Sequence, residues 1–195
     1  IEIPDLKLSK LPVQGLFLKG SYSRANQKLT LDNAAINFGE EGEKGPQISI
    51  AGSVSGLSSD MQILAGVKAV DVPLDDLALY WPEQMASDAR EWVTENIKTG
   101  IAEEAVVKAV LDIPAGDFDN AKLVSLDGTM KYKDIDVHYL RPLPAVKGVS
   151  GTATVRADGL SLFTEGGTLE NMSVLPTTIE ITGLDIADEA IAIQT

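Results

Sequence analysis

Apolar and polar residues alternate along most of this chain, and turn signals interrupt the alternation about every ten residues. Few folds admit that pattern. Val149, Gly151, Ala153 and Val155 alternate with Ser150, Thr152, Thr154 and Arg156, giving a strand with one apolar and one polar face. Residues 16–38 read as a hairpin, with Leu16, Phe17, Leu18 and Tyr22 before a polar turn at 24–27 and Leu29-Thr30-Leu31 after it. Ile48-Ser49-Ile50-Ala51 and Met61-Gln62-Ile63-Leu64 flank a second turn at 56–60, and the Gly- and Glu-rich residues 39–45 read as a solvated loop. Residues 101–113 contain helix-favouring Ala, Glu and Lys, yet Val106-Val107 and Val110-Leu111 suit a strand, which is the expectation. Strands are also expected at 124–132, 137–139, 149–156, 160–164, 167–173, 177–181 and 191–194, in the cadence of a meander. Lys19-Gly20-Ser21-Tyr22 before Leu29-Thr30-Leu31 echoes Ser150-Gly151-Thr152-Ala153 before Leu160-Ser161-Leu162, as stacked units of one extended sheet would.

Residues 82–97 are the exception. Pro82 suits a first helical position, where its missing N–H costs nothing, and Glu83 complements the helix dipole. Met85, Ala86, Ala89, Trp92, Val93 and Ile97 recur at three- and four-residue steps and share one face. Gly100 supplies a stop. The spacing predicts one amphipathic helix packed on the sheet, with Trp81, Pro82, Trp92, Val93 and Gly100 as structural anchors. A fully buried Trp92 would make Trp92→Ala cost about 3–5 kcal/mol. Residues 73–77 read as a short helical turn leading into that helix, with Asp75 and Asp76 opening it.

The chain has 195 residues, a length for about one domain, with 44% hydrophobic and 23% charged residues, as in ordinary globular proteins. Its net charge of −13 repels phosphate backbones and anionic lipid headgroups, so no nucleic-acid partner is expected. No apolar run is long enough to span a bilayer. With no cysteine, disulfides, thiol nucleophiles and the common structural zinc sites are excluded. His138, the sole imidazole, reads as a plain strand residue without the partners a general base needs. Asp117-Phe118-Asp119-Asn120 offers oxygen ligands for calcium but lacks the glycine and distant glutamate of an EF-hand loop, and an acidic turn is the simpler reading. Asp134 and Asp136 lie in a short turn and strand with no sign of a cleft. No phosphate-cradling glycine loop and no Gly-x-Ser-x-Gly elbow occurs, so no catalytic residue, metal or cofactor is expected and the chain reads as non-enzymatic. Both ends, Ile1-Glu2-Ile3 and Ile191-Ala192-Ile193, carry strand alternation, as an internal piece of a longer chain would.

Two stretches resemble a known family. Tyr80-Trp81-Pro82, then Ala89-Arg90-Glu91-Trp92-Val93, then Asn96-Ile97 with Gly100-Ile101 and Glu103-Glu104-Ala105 resemble the signature of AsmA-like proteins, in particular the central domain of their large envelope-spanning members. Pro142-Leu143-Pro144-Ala145-Val146 with Gly148-Val149 and Gly151 is similar to the same family's strand entry. The resemblance implies a curved antiparallel sheet forming a groove with an apolar interior, similar in build to bridge-like lipid transfer proteins. It further implies a periplasmic location, a tether to the inner membrane through a segment not present here, and a part in phospholipid movement to the outer membrane and envelope integrity. The signature is structural and transfers no catalytic residue.

The expected fold is mainly β with one amphipathic helix: an open antiparallel sheet with 1–72 as a first strand set, 73–100 helical and 101–195 a second strand set, all in one domain. Val107, Leu111, Val149, Ala153 and Val155 are candidates for an apolar strand face that either contacts phospholipid acyl chains or packs in a closed core. The partners implied are those acyl chains and neighbouring domains of the same long chain. A competing reading is a structural module that pairs with neighbours through its sheet edges. A carbohydrate-binding β-domain would need Tyr132, Tyr139 and Phe163 exposed on one face.

Overall fold

The computed structural model describes residues 13–40, 44–81, 87–115, 117, 120–139, 142–183 and 190–195. In chain order its elements are β1 (Val13–Ser23), β2 (Lys28–Phe38), β3 (Gln47–Ser55), β4 (Met61–Pro73), α1 (Leu77–Tyr80), α2 (Ser87–Asn96), β5 (Ile97–Lys98) and β6 (Ile101–Ile113). Then follow β7 (Lys122–Val137), β8 (Val146–Arg156), β9 (Gly159–Thr164), β10 (Gly167–Leu169), β11 (Met172–Val174), β12 (Thr177–Thr182) and β13 (Ala190–Gln194).

All described strands belong to one sheet. Its main path is β1-β2-β3-β4-β6-β7-β8-β9-β12-β13, with β5 on β7 and the β10–β11 hairpin on β8. Every pairing is antiparallel. The alternation therefore produces the expected meander. The path does not close, because among the described residues β1 pairs only with β2 and β13 only with β12. One set of strand ends carries the turns at 24–27, 56–60 and 157–158. The other carries α1, which follows the end of β4.

The buried cluster lies at this second end. Val72, Leu74, Ala102, Tyr132, Ile135, Val149 and Ala153 form it, with Leu77 and Tyr80 of α1 and Ile97 of β5 packed against it. Tyr80 also meets Phe38 at the end of β2, edge to face, with centroids 5.2 Å apart. Asp71 and Asp134, at φ +55 and +56, stand where the β4–β6 and β7–β8 registers skip residues. Tyr132 lies across the cross-strand Gly151 and donates its Oη–H to the Phe163 carbonyl on β9 at 3.0 Å. A Cβ on Gly151 would overlap that carbonyl oxygen and stand 2.9 Å from Tyr132 Oη. Glycine is needed there for room.

The hairpin at 16–38, the turn at 56–60 and the strand at 101–113 form as expected. Four expectations differ. The helix does not reach Ile97: α2 ends at Asn96, and Ile97 and Lys98 pair with Val137 and Asp136 as β5. Residues 82–86, Pro82 included, lie outside the described residues. The strands expected at 124–132 and 137–139 are one strand, β7, because the register skip around Asp134 bends the ladder without ending it. His138 follows β7 rather than lying within it, and its backbone N–H donates to Asn96 O at 2.8 Å. The strand expected at 167–173 is a hairpin, broken where Glu170 takes φ +51.

Candidate functional site: the apolar sheet face

Cross-strand partners point to the same side of a sheet, so the registers assign every strand residue to a face. On β4 and β6, Ile63, Ala65, Val67 and Ala69 pair with Leu111, Ala109, Val107 and Ala105. Across β3 the same side carries Ile48, Ile50 and Val54, and across β2 it carries Leu29, Leu31, Ala34 and Ile36. Leu16, Leu18 and Tyr22 continue it on β1. In the other direction it runs through Leu126 and Met130 on β7, then Val149, Ala153 and Val155 on β8. Leu160 and Leu162, Ile179 and Ile181, and Ile191 and Ile193 carry it to the far edge. Gly128 sits between Val107 and Val155, and a Cβ there would strike the Val155 side chain, which ties the three to one side.

The reverse side is largely polar. It holds Lys68 and Glu104, joined at 2.6 Å, and Lys131, joined to Glu103 at 2.7 Å. The Lys131 hydrogen bond holds the Glu103 carboxyl below the usual glutamate range. Ser161 donates to Glu180 Oε1 at 2.6 Å, and Gln62 to Asp112 Oδ1 at 3.0 Å. The exposed ion pairs add little stability, but they commit that side to water.

No second sheet covers the apolar side among the described residues. The helix end is covered by Leu74, Leu77 and Tyr80, and at the turn end Ile113 is buried as well. Leu16, Leu18, Ile191 and Ile193 are 57%, 70%, 65% and 64% exposed, so the apolar face reaches both edges bare. The chain exposes 12733 Å², where a compact monomer of 20.7 kDa exposes about 8,900 Å². A single layer leaves one side of its apolar residues without a partner.

The five candidate strand residues divide. Val149 and Ala153 are 5% and 7% exposed and belong to the buried cluster. Val107, Leu111 and Val155 are half-buried on the uncovered part of the face. The helix anchors need correction. Trp92 is 49% exposed and does not lock the helix to the sheet, and Val93 is half-buried. Their face of α2 is not laid along the strands; the helix meets mainly β5 and α1. Trp81 follows α1 and is half-buried. Gly100 does not stop the helix, which ends at Asn96; at φ +70 it makes the turn between β5 and β6, where a Cβ would overlap the Lys133 carbonyl and Gly100 O accepts from Leu74 N–H at 3.1 Å.

Arg90 was not singled out from the sequence, although it sits inside the Ala-Arg-Glu-Trp-Val motif. Its Nε donates to Trp81 O at 2.8 Å and its Nη2 to Ala78 O at 3.0 Å, so it satisfies carbonyls left free at the end of α1. Tyr132, a candidate sugar platform in the sequence, is a core residue instead. It is 3% exposed, while Phe163 lies on the opposite face and Tyr139 beyond β7, so the three share no face. Burial first, then the nearby Glu165 carboxylate, pushes the Tyr132 hydroxyl up to about 12.

Asp117 and Asn120 form a local turn in which Asn120 Nδ2 donates to Asp117 Oδ2 at 2.7 Å; Phe118 and Asp119 lie outside the described residues. Among the described residues no three acidic or histidine side chains converge as metal ligands. No helix among the described residues is long and apolar enough to cross a membrane. No protein-family model, curated protein or solved structure matches this chain.

Proposed function

We propose that this chain is a non-enzymatic, lipid-handling segment of an AsmA-like envelope protein, its open sheet curved into a groove that shelters phospholipid acyl chains. The observation that carries this is the apolar face that runs from β1 to β13 and, away from the buried cluster, has no second layer over it among the described residues. Apolar area of that extent on a soluble chain marks a surface made to meet another apolar body. At about 4.8 Å per strand, nine inter-strand steps give a track of roughly 43 Å. Along β4 the run from Met61 to Val67, short of the buried cluster, is about 20 Å at ~3.3 Å per residue, longer than the ~15 Å of one leaflet's acyl layer. The face has alkyl groups and almost no hydrogen-bonding ones, which suits chains and not headgroups. The resemblance supplies the setting: periplasm, a tether elsewhere, transport toward the outer membrane, and neighbouring domains continuing the sheet.

The test is lipid extraction and native mass spectrometry of protein purified from a Gram-negative host. Stoichiometric phospholipid in the wild type, lost in a folded Val107→Asp variant, is expected. Folded wild type that never carries phospholipid refutes lipid binding by this segment.

One observation favours a second reading, an interaction module. The outer side of β1 is unpaired among the described residues, and its eleven residues contain one charge, Lys19, and no proline. Edges without such protection accept strands. Leu18→Pro would abolish partner pairing there while leaving any lipid bound further along the sheet.

A further inference from the structure

We propose that the α1 segment is an acyl-chain stop. A bound phospholipid lies along the strands with its chain ends against residues 74–80 and its phosphate at the turn end. This rests on the lipid-handling reading above and adds a direction to it.

The two strand ends differ in three ways. First, the helix end is filled. Leu74 is 6% exposed, Leu77 and Tyr80 pack on the buried cluster, and Tyr80 closes against Phe38 on β2. A chain sliding along β3, β4 or β6 from the turn end meets this block, made of apolar side chains that welcome a methyl terminus. Second, the turn end is more open: Tyr22, Leu29, Leu57 and Leu123 are 59%, 49%, 43% and 49% exposed, although Ile113 between β4 and β7 is buried. A headgroup there stays in water.

Third, the charges favour the same direction. At the helix end beside α1, Asp75, Asp76, Asp134 and Asp136 outnumber Lys98 and Lys133. Asp75 accepts from Thr99 N–H at 3.0 Å and Asp136 from Gly148 N–H at 3.1 Å, which fixes both carboxylates in place. They repel a phosphate. Arg24, Lys28, Lys122 and Arg156 stand at the turn end, where with their neighbouring aspartates they leave the charge close to balanced.

The protein carries its own reporters, since both tryptophans, Trp81 and Trp92, belong to the helical segment. Trp92→Phe leaves Trp81, directly after α1, as the single fluorophore. That variant is incubated with phosphatidylcholine vesicles whose lipids bear a nitroxide on the headgroup or near the acyl terminus, then separated from them. Retained phosphate is measured alongside fluorescence. The acyl-terminal label should quench Trp81 more strongly than the headgroup label at equal lipid content. In a second variant, Trp81→Phe with Trp92→Phe and Leu57→Trp, the order should reverse. Equal quenching by both labels, or the opposite order at either site, with lipid retained, overturns the stop. No retained phosphate in folded protein overturns the lipid-handling reading itself.

Discussion

Tyr132 and Gly151 make a pair whose energetics can be worked out and tested. Tyr132 reaches from β7 across β8 to β9 only because residue 151 has no side chain. Tyr132→Phe removes one hydrogen bond to a backbone carbonyl and should cost about 1 kcal/mol. Gly151→Ala inserts a methyl group that overlaps the Phe163 carbonyl, a backbone atom that moves only with its strand. Overpacking of this kind costs about 1–3 kcal/mol. The new methyl also crowds Tyr132 Oη, so Gly151→Ala has already broken the bond that Tyr132→Phe removes. The double variant should therefore be less destabilised than the sum of the singles, by about 1 kcal/mol. Urea unfolding of the four proteins, followed by circular dichroism, gives the cycle. Additivity within about 0.5 kcal/mol would refute the shared bond.

Base titration should find Tyr132 separately. Its folded-state proton is held to about 12 against 10.0 unfolded, so the folded form binds more protons between those values and stability falls as pH rises through them. Tyr132→Phe should flatten that loss in unfolding midpoints measured across the window. Arg90→Ala should release α2 from α1, seen as faster amide exchange in residues 87–96 with the sheet unchanged, and Arg90→Lys should restore protection only in part because it lacks the two-pronged donor. Trp92→Ala should cost no more than about 2 kcal/mol in urea unfolding, roughly half the cost of a buried tryptophan.

Period-two alternation was enough to place nearly every strand, because side-chain parity is a local property that the backbone enforces. Residues 149–156 announced both the strand and its apolar side. The sequence did not say whether that side was covered: Val107 and Val149 look alike in a line of letters, yet one lies on bare sheet and the other in the buried cluster at the helix end. What separates them is the course of residues 74–80 over the sheet, a tertiary matter. Trp92 misled for a similar reason. Helical spacing defines a face but not what it meets, and α2 meets α1 and β5 at one end of the sheet. The single strand β7 was hidden by Asp134, which reads as a turn residue and serves as a kink within the ladder.

A meander in which each strand touches chiefly its neighbours behaves as a one-dimensional chain of interfaces. Removing β12 and β13 would sacrifice the β9–β12 and β12–β13 seams and leave the other seams as they are. Removing or adding strands two at a time also keeps every remaining direction and face in phase, since strands alternate in direction. The length of this architecture is thus adjustable in hairpin units without refolding the rest. Growth by added hairpins needs no new core, only another pair of strands with the same parity.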